Sequence, residues 1–339
     1  FGSVLVTAYT GVASSHVGGG ARTLHDLFQL AKVNVTSGDL RRLEGKDLEK
    51  LADDLDGLRL LVIDEVSMVS RTMLADVDTR LKEWRAFRKH PAKGAPFGGV
   101  GVIVAGDFGQ LPPTKAEYLS LLCPNNLHGA GSQRANFGKR LFERFTTVVR
   151  LRRIHRQPGA AQYKESLIRL RDGAMTKEDW ELWKQHDLAA DDCKLTPKER
   201  ARLENEVTHL FAENAGAGDR NGQMAGDLAR GKKRSILRVA SRDSTAAASR
   251  QPCDMFGQLR RVVHMVEAAP AMVICNLRTP AGLVNGATGR VVGVVLKRAA
   301  ADRDVRGAVS AADVAYVVVD VPKYCGPVLY PSHPTWGPI

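Results

Sequence analysis

The sequence predicts an α/β protein built on parallel β-sheet, with a small antiparallel unit toward its C-terminal end. Three observations carry this. Two apolar runs, LLVI at 60–63 and VGVIVAG at 100–106, are too continuous for half-exposed strands and suit strands covered on both faces. Between them, Leu74, Val77, Leu81 and Trp84 recur at helical spacing and share one face of a helix over 72–84. Late in the chain, β runs at 287–297 and 313–321 follow one another with no helical pattern between, as antiparallel neighbours do.

The elements follow in chain order. Residues 3–8 (SVLVTA) form a β run that ends in Tyr9-Thr10-Gly11, hydroxyls and a glycine suited to a loop that approaches a ligand. Gly18-Gly19-Gly20 and Thr23-Leu24-His25 come next. A glycine triplet lets the backbone turn tightly or approach another chain; a plain loop is the equal alternative, and a lone His25 is more often structural. Residues 40–58 give one or two surface helices, and 85–94 (RAFRKHPAKG) a basic solvated loop. Residues 146–151 form a fourth β run, and Pro158-Gly159 then marks a turn and a domain boundary.

Tyr163, Leu167 and Leu170 line the next helix, which Gly173 stops. Thr176 with Asp179 opens another, and Thr196-Pro197-Lys198-Glu199 is a capping box with proline at the first helical position. Residues 207–212 (VTHLFA) read as a short strand, with Asn214 and Asn221 flanking a glycine-rich turn. Residues 226–232 (GDLARGK) nearly match a phosphate-binding loop but fail: Lys233 stands where Ser or Thr should hold magnesium, and no buried strand precedes. Residues 270–277 (PAMVICNL) are another buried strand, and Asn285-Gly286 is a strong turn signal.

A chain of 339 residues has room for two domains, and 44% hydrophobic content supplies ordinary cores. No apolar run approaches a membrane span. A net charge of +12 favours a polyanionic partner, most simply nucleic acid. The five cysteines are scattered with no CxxC and no His at zinc spacing, so free thiols in a reducing compartment and no metal cluster are expected. Phe1 leads straight into a strand without a signal-peptide pattern, and the Pro-rich end lacks a stop signal, so a fragment is expected.

The strongest chemical signal is Asp64-Glu65 at the carboxyl end of an apolar strand, where open α/β sheets bind ligands. An Asp there can hold magnesium through water, and an adjacent Glu can orient or deprotonate an attacking water. Two solvated acids are the alternative. Gln110, just past the second apolar strand and before Pro112-Pro113, can bind a phosphate or that water, or be a solvated turn residue. Arg156, at the expected domain junction, can reach a γ-phosphate, or belong to a basic linker.

The order of these pieces is more specific than any one of them. VLVTAYTGVASSHVGGGARTLHDLF, LLVIDEVSMVS, VIVAGDFGQLPPT, VVRLRRIHRQ and MVICNL with GLVNGATGRVVGVV span about 4–295. The chain resembles the Pif-type, RecD-like DNA helicases of superfamily 1, including forms carried by Helitron transposons. The resemblance implies two RecA-like parallel-sheet domains of the P-loop NTPase type, the second incomplete with a small β insertion. Residues 1–153 would be the first domain, lacking its phosphate loop; 154–284 the partial second; and 285–339 the start of an inserted β-barrel.

It further implies ATP and magnesium as cofactors and single-stranded and forked DNA as partners, with no membrane. Asp64 would coordinate magnesium, Glu65 would activate water, Gln110 would sense the γ-phosphate, and Arg156 would reach it. Thr7, Thr10, Gly20 and His25 would lie in the first DNA-contacting motif, and Asn285 would open a further DNA-contacting segment. The implied activity is five-prime to three-prime unwinding coupled to ATP hydrolysis, in DNA repair, recombination or telomere and genome maintenance. The nucleus is the expected location, with the mitochondrion as alternative.

The family's GxxGxGK[ST] loop is expected before Phe1 and its late motifs after Ile339, so these residues alone are expected to be inactive. The competing readings are a degenerate, transposon-derived single-stranded DNA-binding module without ATPase activity, and a phosphate-loop ATPase unrelated to DNA.

Overall fold

The computed structural model describes residues 3–10, 22–30, 40–113, 119–129, 132–155, 159–185, 187, 195–205, 207–243, 245–246, 248–250, 260–275, 277–297 and 308–339. The chain divides into two compact units, Phe1–Cys193 and Lys194–Ile339.

The first unit holds β1 (Val4–Ala8), β2 (Arg22–Thr23), α1 (Leu24–Leu27), α2 (Gly45–Asp54), β3 (Leu60–Asp64) and α3 (Arg71–Phe87). Then come β4 (Gly101–Val104), α4 (Ser132–Phe142), α5 (Ala161–Arg171) and α6 (Lys177–Lys184). The strands form one parallel sheet in the order β2-β1-β3-β4. Its register sets Ala8 beside Asp64 and Ile63 beside Val104.

The expectation of strands covered on both faces is met on one face only. Leu61 and Ile63 are fully buried in the main core with Leu74, Val77, Leu81 and Trp84 of α3. The register puts Val62 beside Ile103 on the other face, where Ile103 is 50% exposed. A continuous apolar run thus supplies a strand, but neighbouring elements decide how many faces are covered. The residues read as surface helix over 40–58 also reach the core: Leu43, Leu51, Leu55 and Leu58 are buried there. Each such leucine contributes about 2 kcal/mol of hydrophobic stabilisation.

Helix α3 is capped by Ser70, whose hydroxyl accepts from the Met73 N–H at 3.1 Å. It also buries four charges. Arg71 donates to the carbonyls of Ser120, Cys123 and Asn125. Arg80 donates to those of Phe28 and Arg41. Asp78 accepts from the Phe97 N–H and pairs with Lys82, and Asp76 is held by the Arg134 fork. Burial is tolerable because each charge has partners, and the result is a helix that pins five separate segments.

Residues 146–151, expected as a strand, have no regular structure, and Leu151 is 91% exposed. Among the described residues no strand pairs with them, and β propensity without a ladder partner forms nothing. The helices expected after them are α5 and α6. Gly173 ends α5 at φ +69°, and Thr176 and Asp179 cap α6 reciprocally. The apolar face of α5 is only partly covered: Tyr163 packs on Trp183, whose indole N–H donates to Ser166.

The second unit holds α7 (Pro197–Asn205), α8 (Asn214–Gly231), β5 (Leu237–Ala240), β6 (Val262–Met265) and β7 (Pro270–Met272). It continues with β8 (Thr288–Leu296), β9 (Ala308–Ser310), β10 (Val314–Asp320) and β11 (Trp336–Pro338). The expected antiparallel unit is a four-stranded sheet, β11-β10-β8-β7. A three-stranded sheet, β6-β5-β9, pairs β5 antiparallel with β6 and parallel with β9.

Three expectations fail here. Of residues 270–277, expected as a buried strand, only Pro270–Met272 is strand, and Met272 and Ile274 are exposed because β7 lies at the edge of its sheet. Residues 207–212 form no strand, and Leu210 is 92% exposed. The glycine-rich stretch after Asn214 is the eighteen-residue helix α8, not a turn. Two of its glycines lie close to neighbours, Gly216 against the Phe211 ring and Gly218 against Arg260, while Gly222 and Gly231 face open space. The near-miss GDLARG is the end of that helix, so its amides are engaged in helical hydrogen bonds and cannot wrap a phosphate. Among the described residues no helix is long and apolar enough to cross a membrane.

Candidate active site

All strands of the first unit's sheet are parallel, so their carboxyl ends share one edge. The register places Tyr9-Thr10 just past β1, Thr23-Leu24-His25 at the end of β2, Asp64-Glu65 at the end of β3, and Gly106 to Gln110 past β4. Residues scattered over a hundred positions are thereby gathered along one line.

At the end of β3 the backbone turns abruptly. Glu65 is left-handed, at φ 58° and ψ 45°, and Val66–Met68 is a single 3-10 turn. The Glu65 N–H donates to Asp64 Oδ1 at 2.9 Å, and the Val66 N–H to the Ala105 carbonyl at 3.0 Å. A non-glycine residue in this conformation costs about 1–2 kcal/mol and tends to occur where a side chain must be aimed. Both carboxylates are half-buried. Among the described residues no basic side chain pairs with either. Elsewhere in this unit the buried acids Asp76, Asp78 and Asp179 each hold a cation.

The β4 end is built against that turn. Gly106, at φ +149°, approaches so closely that a Cβ would lie 2.8 Å from the Val66 nitrogen. Asp107 then gathers the next residues: its Oδ1 accepts from the Gly109 N–H at 2.9 Å, its carbonyl from the Gln110 N–H at 3.0 Å. The Arg171 fork grips the same carboxylate, with Nε at 2.9 Å and Nη2 at 2.8 Å from Oδ1. Arg171 hydrogen bonding, followed by the Gly109 amide, holds the Asp107 pKa below the usual carboxylate range.

The other expected site residues fall as follows. Thr7 is fully buried, and its hydroxyl donates to the Val62 carbonyl at 3.1 Å, so it is used inside the sheet. Thr10 is half-buried beyond β1. His25 stands at the surface, edge-on to Tyr9 at 5.5 Å between ring centres, and partial enclosure lowers its pKa. Asn285 is exposed in the turn before Gly286, in the second unit. Gly20 and Arg156 lie outside the described residues. Sequence reasoning missed Asp107 and Arg171. Asp107 sits three residues before Gln110 and was within reach; Arg171 gave no local signal.

A family model described as PIF1-like helicase matches residues 2–179, just over half of the chain. The chain belongs to the PIF1-like helicase family. The match contains every strand of the parallel sheet and both turns described above. The ATP-dependent DNA helicase Pif1 of a Psychrobacter strain is 40% identical over 111 residues, covering 32% of this chain and 15% of that protein. The ATP-dependent DNA helicase PIF1 of Saccharomyces cerevisiae is 27% identical over 295 residues, covering 86% of this chain and 30% of that protein. The crystal structure of a Bacteroides Pif1 helicase in complex with ADP-AlF3 and single-stranded DNA shares the fold. Its TM-score is 0.59 at 23% identity, over 95% of this chain and 63% of that one. This agrees with the expected RecA-like α/β class. The chain thus spans less than a third of the length of these two PIF1-like relatives.

Proposed function

We propose that the chain is part of an ATP-dependent DNA helicase and supplies its hydrolytic carboxylates. The activity is proposed for a protein that contains these residues, because they make up only part of the length of the relatives. The observation that carries the reading is the Asp64-Glu65 turn: two carboxylates without a described cationic partner, in a chain of net charge +12, at the ligand-binding edge of a parallel sheet.

Asp64 fits a hydrated divalent cation. One of its oxygens takes the Glu65 N–H, and the carboxylate is only half-buried. Among the described residues no three His, Cys, Asp or Glu cluster as a protein cage, a donor set suited to magnesium shared with phosphates. Bound there, magnesium supplies positive charge to the phosphate oxygens. Glu65, aimed by its left-handed backbone, orients the attacking water and accepts its proton. Gln110 binds the γ-phosphate or that water, and Arg156 reaches the same phosphate.

Thr10, Gly20, His25 and Asn285 are proposed contacts to single-stranded and forked DNA; Thr7, with its hydroxyl inside the sheet, supports β1 instead. The basic charge implies affinity that falls steeply with salt. Five-prime to three-prime unwinding in nuclear DNA repair, recombination or genome maintenance is the proposed setting.

The test is DNA-stimulated ATP hydrolysis by a protein that contains these residues. Glu65→Gln should lower turnover by about a hundredfold or more while single-stranded DNA binding persists. Binding with no hydrolysis in the unsubstituted protein would instead establish a non-catalytic DNA-binding module.

A further inference from the structure

We propose that Arg171 is a positioning residue for hydrolysis: it fixes the turn from Asp107 to Gln110 and ties that turn to α5. The inference rests on the helicase reading above, and it assigns work to a residue far from either carboxylate in sequence.

Three observations carry it. First, the grip is a fork. Arg171 Nε lies 2.9 and 3.1 Å from the two Asp107 carboxylate oxygens, and Nη2 lies 2.8 Å from Oδ1. A planar fork fixes the carboxylate's orientation as well as its position. Second, the turn is shaped to receive the arginine. A Cβ on Gly109 would lie 2.7 Å from Arg171 Cγ and 2.8 Å from its Nε, so the side chain lies directly on the glycine backbone. Third, the gripped residue is the one that orders the turn: its carboxylate accepts from the Gly109 N–H at 2.9 Å and its carbonyl from the Gln110 N–H at 3.0 Å.

An exposed ion pair contributes under about 1 kcal/mol to stability, so folding alone gives little reason for so tailored a contact. Its consequence is local. With the fork in place, the turn that carries Gln110 is held at Gly106, which is wedged on Val66, and at Asp107, which is tied to α5. Gln110 is thereby tied to α5: its backbone N–H bonds the Asp107 carbonyl, and the Asp107 carboxylate is held by Arg171 at the helix end. Nη1 of Arg171 also binds Asp172 at 2.9 Å, which braces the guanidinium at the helix end.

The test follows amide hydrogen exchange and steady-state hydrolysis in the protein that contains the full chain. Arg171→Ala should speed exchange at the Gly109 and Gln110 amides by about tenfold or more, leaving β3 unchanged. It should lower kcat for DNA-stimulated hydrolysis by about tenfold or more while KM for ATP moves less than about threefold. Arg171→Lys, which keeps the charge but not the fork, should recover part of the kcat. Gly109→Ala, which displaces the side chain without touching either charge, should reproduce the Arg171→Ala pattern.

Unchanged exchange in Arg171→Ala overturns the hold, and faster exchange with unchanged kcat overturns the role in hydrolysis. If the unsubstituted protein hydrolyses no ATP, the helicase reading fails separately, and the role proposed for Arg171 in hydrolysis falls with it. Exchange at Gly109 and Gln110 still reports the hold itself.

Discussion

Two strand ends meet at the candidate site, and they are held in opposite ways. The end of β3 is restrained from close by: Asp64 Oδ1 takes the next residue's N–H, and the Val66 amide bonds Ala105 on the neighbouring strand. The end of β4 has its own local bonds, but the Asp107 carboxylate that makes them is itself held from a distance, by an arginine 64 positions further along the chain. A carboxylate on a strand terminus inherits its aim from the sheet. A glutamine four residues past a glycine has no such inheritance, and needs an external clamp to hold one conformation.

The largest test of this contrast is Gly106, where the two ends touch. Gly106→Ala places a Cβ 2.8 Å from the Val66 nitrogen at a backbone angle that disfavours side chains. Strain and overpacking together should cost about 3 kcal/mol, read as a lower denaturation midpoint with unchanged slope. A loss below about 1 kcal/mol would mean that the strand ends are not wedged together.

Next is the strain stored at Glu65. Glu65→Gly removes the left-handed penalty and should stabilise the protein by about 1 kcal/mol while eliminating hydrolysis. A destabilised variant would show that Glu65 holds the fold rather than the reaction.

The smallest effect is that of pH on the β4 end. Asp107 has its folded pKa lowered, so its contribution is fully present above its unfolded value of about 3.9 and is lost as pH falls through the folded value. Acid should therefore loosen the 107–110 turn below about pH 4, seen as lower protection from exchange relative to the intrinsic rate, and Arg171→Ala should weaken that dependence, leaving the part due to the Gly109 amide. A pH response undiminished in the variant would place the titrating group elsewhere.

The unevenness of the sequence reading has the same origin. Period and local chemistry were enough for LLVID, for the apolar stripe on α3, for the Thr176 and Thr196 caps and for the Asn285-Gly286 turn, because those signals act within a few residues. They misled at 146–151 and 207–212, where β-prone residues found no described partner strand, and at α8, two of whose glycines pack against Phe211 and Arg260 instead of turning. The buried charges of α3 were invisible for a related reason: Arg71 and Arg80 are tolerable inside only because carbonyls about fifty positions away converge on them.

By itself, then, the sequence determined the family, the parallel-sheet class and the carboxylate pair at the end of β3. These follow from residue order, apolar continuity and adjacency along the chain. Only the tertiary structure decided that Glu65 sits in a left-handed turn, that Thr7 is used inside the sheet, and that Asp107 is gripped by Arg171. Those depend on which distant segments come to lie side by side, and a hydrogen bond or an ion pair across such a distance leaves no periodic trace in either partner's neighbourhood.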